Sequence, residues 1–260
     1  MSLVNLFDTG DIAIYNYHTH THNNTQRKVH TMKGMILNET QDTVQIITFA
    51  SANVKTGDMA QVWILNKHMN PVEAKRSGED SKVCFDCTHR VHNTCYVNVG
   101  QAPNSVYKSY KKGNYAPLDL QVLKAMIKWK AVRFGAYGEP VLLPLNIIEF
   151  IARHSRGFTG YTHQWKKLQN DDYKDYFMAS CDTAEDVVQA HAYGWRTFRV
   201  QKTGDTVKAT DELDCPNITT GVQCRDCQLC DGATKSQGKS IVVPVHGTIG
   251  KINTFNVVTL

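Results

Sequence analysis

The sequence has no apolar run of the roughly 18 residues that a membrane-spanning helix needs, so no membrane is expected among its partners. Met1 to Ile14 carries acidic side chains but no Lys or Arg, which does not read as a secretory leader, so the expected location is the cytoplasm. There is no basic tail and no Lys/Arg run. The net charge of +5 is compatible with nucleic acid but does not call for it. No internal repeat, phosphate-binding glycine loop, nucleophile–base pair or zinc-protease helix motif is visible. What remains is an ordinary globular composition, 42% hydrophobic and 20% charged, in a 260-residue chain long enough for a real core.

Against that background the eight cysteines stand out. In a reducing compartment they are expected to be ligands rather than disulfides. They fall into two groups, Cys84, Cys87 and Cys95, then Cys215, Cys224, Cys227 and Cys230, with Cys181 alone. The second group places Cys215-Pro216 before a Cys-x-x-Cys-x-x-Cys run. Thiolates at that spacing wrap around one compact object. A four-iron cluster is often held by such a run plus one remote cysteine beside proline, whereas structural zinc prefers two separated pairs. The expectation is a 4Fe-4S cluster, saturated by four thiolates, with zinc as the alternative. The first group has only three cysteines. It is expected to hold a second cluster with one iron open to a small-molecule cofactor, or zinc completed by His89 or His92. Cys181 is a further candidate to complete a site.

The apolar rhythm predicts strands at 62–65, 131–134, 158–161, 176–179, 195–200 and 241–245. Helices are predicted at 103–112, 118–129, 145–154 and 183–193. Thr183 is the expected N-cap of the last, with Asp186 at the capping-box position and Gly194 just past its end. Alternating strands and helices imply crossovers and a largely parallel sheet, and six such units suit a partial (β/α)6-type barrel with cysteine-rich metal-binding loops. Residues 1–55 read as an N-terminal extension of uncertain structure, and 56–260 as the partial α/β barrel with its two cysteine clusters. His18, His20 and His22 alternate within that extension and share one face if it is extended.

In such folds the carboxyl ends of the strands carry the site. Gly138-Glu139-Pro140 follows the 131–134 strand, Ser180 and Asp182 follow 176–179, Tyr161 to Trp165 follow the third strand, Arg196 and Arg199 flank the fifth, and His246-Gly247 follow the sixth. The segment Gly138-Glu139-Pro140 resembles the Gly-Gly-Glu-Pro segment of radical S-adenosylmethionine enzymes. That resemblance implies S-adenosylmethionine as a cofactor, with Gly138 and Glu139 facing its amino group and Ser180 near its ribose. That family carries its cluster on Cys-x-x-x-Cys-x-x-Cys, whereas this chain has Cys-x-x-Cys and a third cysteine eight residues on.

Cys95-Tyr96, Gly138-Glu139, Tyr161-Thr162, Cys215-Pro216, Cys224 to Cys230 with Leu229, and His246 together resemble the uncharacterised bacteriophage family named after a mycobacteriophage gene-88 product. This second likeness spans roughly residues 55–250 and implies a phage-encoded iron–sulfur protein in the host cytoplasm. Two functions follow as expectations. One is a radical-SAM-like enzyme with an open cluster. The other is a non-catalytic iron–sulfur or zinc protein that binds nucleic acid or a host protein.

Overall fold

The computed structural model describes residues 32–168, 172–209, 211–233 and 238–258. His18, His20 and His22 lie outside them. The described chain is a mixed α/β fold with two parallel-rich sheets and no closed barrel.

The first sheet has the order β1 (Gly34–Glu39), β2 (Thr43–Thr48), β3 (Ala60–Asn66), β4 (Ala131–Tyr137) and β5 (Gly157–Thr159). β1–β2 and β2–β3 are antiparallel, and β3–β4–β5 are parallel. The second has the order β6 (Tyr161–Thr162), β7 (Met178–Cys181), β8 (Thr197–Gln201), β10 (Ser240–Pro244) and β9 (Glu212–Asp214), with every pairing parallel. β5 and β6 are separated only by Gly160, so the two sheets meet there. The Gly160 N–H donates to the Cys230 carbonyl at 3.0 Å, and its own carbonyl accepts from Met178 N–H at 3.0 Å. A Cβ at this position would stand 2.5 Å from the Phe177 ring, so the junction is closed to larger residues.

Between β3 and β4 lie α1 (Pro71–Ser77), α2 (Ser81–Cys84), α3 (Thr88–Val91), α4 (Ala102–Lys111) and α5 (Leu120–Ile127). α6 (Leu145–His154) links β4 to β5, and α7 (Ala184–Ala192) links β7 to β8. α8 (Pro216–Thr219) and α9 (Cys224–Cys227) precede β10, and α10 (Ile249–Val257) follows it. The caps are chemical. Asn70 accepts the N–H groups of Val72 and Glu73 ahead of Pro71, and Asp119 accepts those of Gln121 and Val122. Thr183 accepts Asp186 N–H at 3.0 Å as the sequence predicts, but the return bond from Asp186 reaches the N–H of Asp182 rather than the cap residue.

The structure corrects several local expectations. Residues 34–48, inside the expected extension, form a hairpin on β3. The fourth predicted strand sits two residues later than expected, at Met178–Cys181, because a 3-10 turn occupies Asp172–Asp175. The first cysteine group lies on and beside two short helices rather than in a plain loop. Arg196 and Arg199 do not line the strand-end face. Arg196 is buried and donates to the carbonyls of Leu229, Gly232 and Lys239 and to Asp231, clamping the segment after Cys230. Arg199 makes two hydrogen bonds to Glu212, at 2.8 and 2.7 Å, tying β9 to β8 across the intervening β10.

Both partners of the Arg199–Glu212 pair are buried, so Glu212→Ala leaves a buried guanidinium with only Asp205, 3.9 Å away, as a counter-charge. It is expected to lower stability by about 3–5 kcal/mol in urea denaturation. The exposed pair Lys208–Asp214 serves as the control, and Lys208→Ala is expected to cost less than about 1 kcal/mol.

Candidate metal and ligand site

Alternation along a strand sends successive side chains to opposite faces. In β4, Val132, Phe134 and Ala136 enter the hydrophobic core with Ile148, Ile151 and Phe158. Arg133, Gly135 and Tyr137 face the other way and line a cavity of about 250 Å³. Thr159 and Tyr161, Ser180, Phe198 and Val200, and Val243 and Val245 line the same cavity. The space is therefore walled by the inner faces of neighbouring parallel strands. Its volume lies just below the usual range for small-molecule pockets.

Both cysteine groups reach this cavity. Cys84, Cys87 and Cys95 line it, and so do Cys215 and Cys224. An adjoining space of about 20 Å³ is lined by Cys215, Cys224, Cys227 and Cys230, with Tyr161 between the two. The second group is held from several sides. Cys224 N–H donates to Lys55 O at 3.1 Å and Arg225 N–H to Thr56 O at 3.0 Å, so the turn ahead of β3 seats α9. The Tyr161 hydroxyl hydrogen-bonds the Cys230 thiol. Burial pushes the thiols of Cys84, Cys95, Cys224, Cys227 and Cys230 above their ordinary range, with neighbouring cysteines adding to the shift at Cys84 and Cys230. Cys181 is buried in the core and absent from the cavity wall, so it does not complete either group.

Gly138, Glu139 and Ser180 also line the cavity. Glu139 N–H donates to Val83 O at 2.7 Å, which ties the end of β4 to the helix carrying Cys84. Gly138 has φ +82, and a Cβ there would stand 2.8 Å from both the Ile64 Cβ and its carbonyl oxygen. The Glu139 carboxylate accepts from the Thr162 hydroxyl at 2.7 Å and from His163 N–H at 3.0 Å. Burial raises its pKa, and His163 with these donors opposes the rise. Two donors leave part of the acceptor capacity of a carboxylate unused.

His163 stands at the centre of the wall. Its Nδ1 lies 3.5 Å from Cys87 Sγ and 3.8 Å from Glu139 Oε1. On its other edge, Nε2 is 3.7 Å from Asp182 Oδ1. Burial opposes its charge, but Cys87 and Asp182 hold its pKa well above the usual imidazole value. His89 approaches the same Asp182 oxygen at 3.2 Å. The Cys-x-x-Cys turn is pinned by Asp86, which accepts from Gln164 at 2.9 Å and Lys167 at 2.8 Å. Those two bonds, Lys167 first, outweigh its slight burial and hold its pKa at about 2.

Sequence reasoning named His163, Ser180 and Asp182 from their strand-end positions. It missed Arg133, whose Nη2 donates to the Tyr96 hydroxyl at 2.5 Å in the cavity wall. The alternation of β4 was the available signal, since Phe134 in the core puts Arg133 on the opposite face. His246 lines the cavity and His92 does not.

A left-handed backbone costs an L-residue about 1–2 kcal/mol. Gly113, at φ +68 with open space around it, should lose that much on replacement by Ala. Gly138→Ala should lose a further 1–3 kcal/mol or so through its collision with Ile64, as read from denaturation midpoints of the two variants. No protein-family model, curated protein or solved structure matches this chain.

Proposed function

We propose that this is an iron–sulfur protein whose two cysteine groups hold two separate clusters facing one cavity, and that the Cys84, Cys87 and Cys95 cluster keeps an iron open for S-adenosylmethionine or a related ligand. The observation that carries the reading is the spacing of the thiols. Tetrahedral zinc with Zn–S bonds near 2.3 Å brings its sulfurs to about 3.8 Å of one another. Among the described residues, neither group brings three thiols within 4.8 Å of one another. A cubane places four irons and four sulfides between its thiolates and needs the wider spacing. That no three thiols converge within that distance supports a cluster over a single zinc ion.

The ligand assignment rests on the cavity. Gly135 and Gly138 line the wall that also carries the first cysteine group. Glu139 is a buried carboxylate with two neutral donors, an imidazole 3.8 Å away and spare acceptor capacity that a ligand ammonium could use. Ser180 offers a polar lining atom on the neighbouring strand. The strands β3, β4, β5/β6, β7, β8 and β10 succeed one another in parallel across the Gly160 junction. We read them as a partial six-stranded barrel around the cavity, the architecture that the radical-SAM resemblance implies. Held by Cys84, Cys87 and Cys95, such a cluster would supply one-electron chemistry at its open iron, given an external reductant. The chain's own residues would orient the ligand through Glu139 and fix Glu139 through Thr162 and His163.

Anaerobic purification followed by iron, sulfide and zinc analysis tests the metal assignment. Iron and sulfide in near-equal amounts are expected, and near-stoichiometric zinc without sulfide contradicts it. In calorimetry on the reconstituted protein, S-adenosylmethionine is expected to bind, and Glu139→Ala to weaken binding by about 1–3 kcal/mol. Unchanged affinity in that variant removes the ammonium contact from the account.

A further inference from the structure

We propose that His89, His163 and Asp182 form a third metal site, a mononuclear centre for a divalent ion such as zinc, separate from both cysteine groups. One ligand atom from each lies within 4.8 Å of the other two, the spacing that neither cysteine group reaches among the described residues. Three ligands on a tetrahedral zinc with bonds near 2.0–2.1 Å stand about 3.3–3.4 Å apart. The Asp182 Oδ1 distances of 3.2 Å to His89 Nε2 and 3.7 Å to His163 Nε2 bracket that value.

Hydrogen bonding leaves two of these atoms poorly satisfied. The His163–Asp182 distance exceeds hydrogen-bond range. His163 Nε2 and Asp182 Oδ1 are buried without a hydrogen bond of good geometry, the oxygen keeping only its 3.2 Å approach to His89 Nε2. Buried polar atoms without partners are costly, and two that converge on one point call for a common occupant. The outer contacts are those of a metal site. His89 Nδ1 lies 2.8 Å from Thr94 Oγ1, which holds the ring so that Nε2 turns to Asp182. The opposite edge of His163 faces Cys87 and Glu139, which likewise leaves Nε2 free as a ligand. Phe255 stacks on His89 at 5.6 Å and restricts its rotation.

Two imidazoles and a carboxylate suit zinc or ferrous iron, and three protein ligands leave a coordination position open. Both histidines line the cavity, so a water or a donor atom of the cavity's ligand can take that position. His163 would then join the two chemistries, with one ring edge on Cys87 and the other on the ion.

The test uses the full chain, purified anaerobically and dialysed against zinc, with bound zinc, iron and sulfide measured on the same sample. One zinc per chain is expected in addition to the iron. His89→Gln and Asp182→Asn are each expected to lower zinc affinity by at least about tenfold, while His246→Gln, a cavity histidine outside the trio, retains it. X-ray absorption at the zinc edge should show only nitrogen and oxygen neighbours at about 2.0–2.1 Å. This second reading on the unaltered chain keeps the test decisive even where a variant does not fold. No bound zinc, zinc that persists at full affinity in both variants, or sulfur in the zinc shell overturns the proposal. The iron and sulfide content reports separately on the clusters, so either assignment can fail without the other.

Discussion

A parallel strand flanked by helices has two faces to commit, and the architecture follows from how β4 and its neighbours commit theirs. Val132, Phe134 and Ala136 go to the helices and the core. Arg133, Gly135 and Tyr137 go to the cavity. A shift of one residue in register would exchange the two sets, burying Arg133 among Ile148 and Phe158 and turning Phe134 into the cavity. The pairing of Ala131 with Gly157 and of Arg133 with Thr159 sets that register. Gly160 then lets the chain leave β4 and join β7. Both cysteine groups inherit their positions from this arrangement. Glu139 N–H ties the end of β4 to Val83 beside Cys84, and the Gly160 N–H ties the strand junction to Cys230.

The cavity is organised by charge as well as by shape. Arg133 and Lys55 line it together with the buried Glu139 carboxylate and the imidazoles of His89 and His163. Burial raises the pKa values of Cys84 and Cys230, so any metal they bound would displace their protons. In the proposed reading the thiols would hold clusters, and the closely spaced nitrogen and oxygen atoms around Asp182 a single ion.

Much of this was legible in the sequence, and the failures have physical causes. The helix at Leu145–His154 showed itself through Ile147, Ile148 and Ile151 on one face, and the helix after Thr183 through its cap. The hairpin of β1 and β2 did not, because β2 is buried on both faces and its pattern does not alternate. Gln45 within it is buried but satisfied by Thr43 and Asn38, so a polar residue disguises a core strand. The strand at Met178–Cys181 was placed early because Tyr176 and Phe177 are apolar and pack on the core from the turn before it. The cysteine groups announced themselves by local spacing. His89, His163 and Asp182 come from three separate elements, so no spacing rule could join them. Arg196 and Arg199 looked like site residues by position, and only burial shows that they hold the Cys230 segment and β9.

In the proposed reading the two cysteine groups carry distinct clusters, one saturated by four thiolates and one with an open iron. Mössbauer spectroscopy of the protein reconstituted with iron-57 distinguishes them. About eight irons per chain are expected in two cubane populations, one of them with a single iron whose signal moves when S-adenosylmethionine is added. A single cluster population in which every iron is unaffected by the ligand, or iron bound without sulfide, would contradict it.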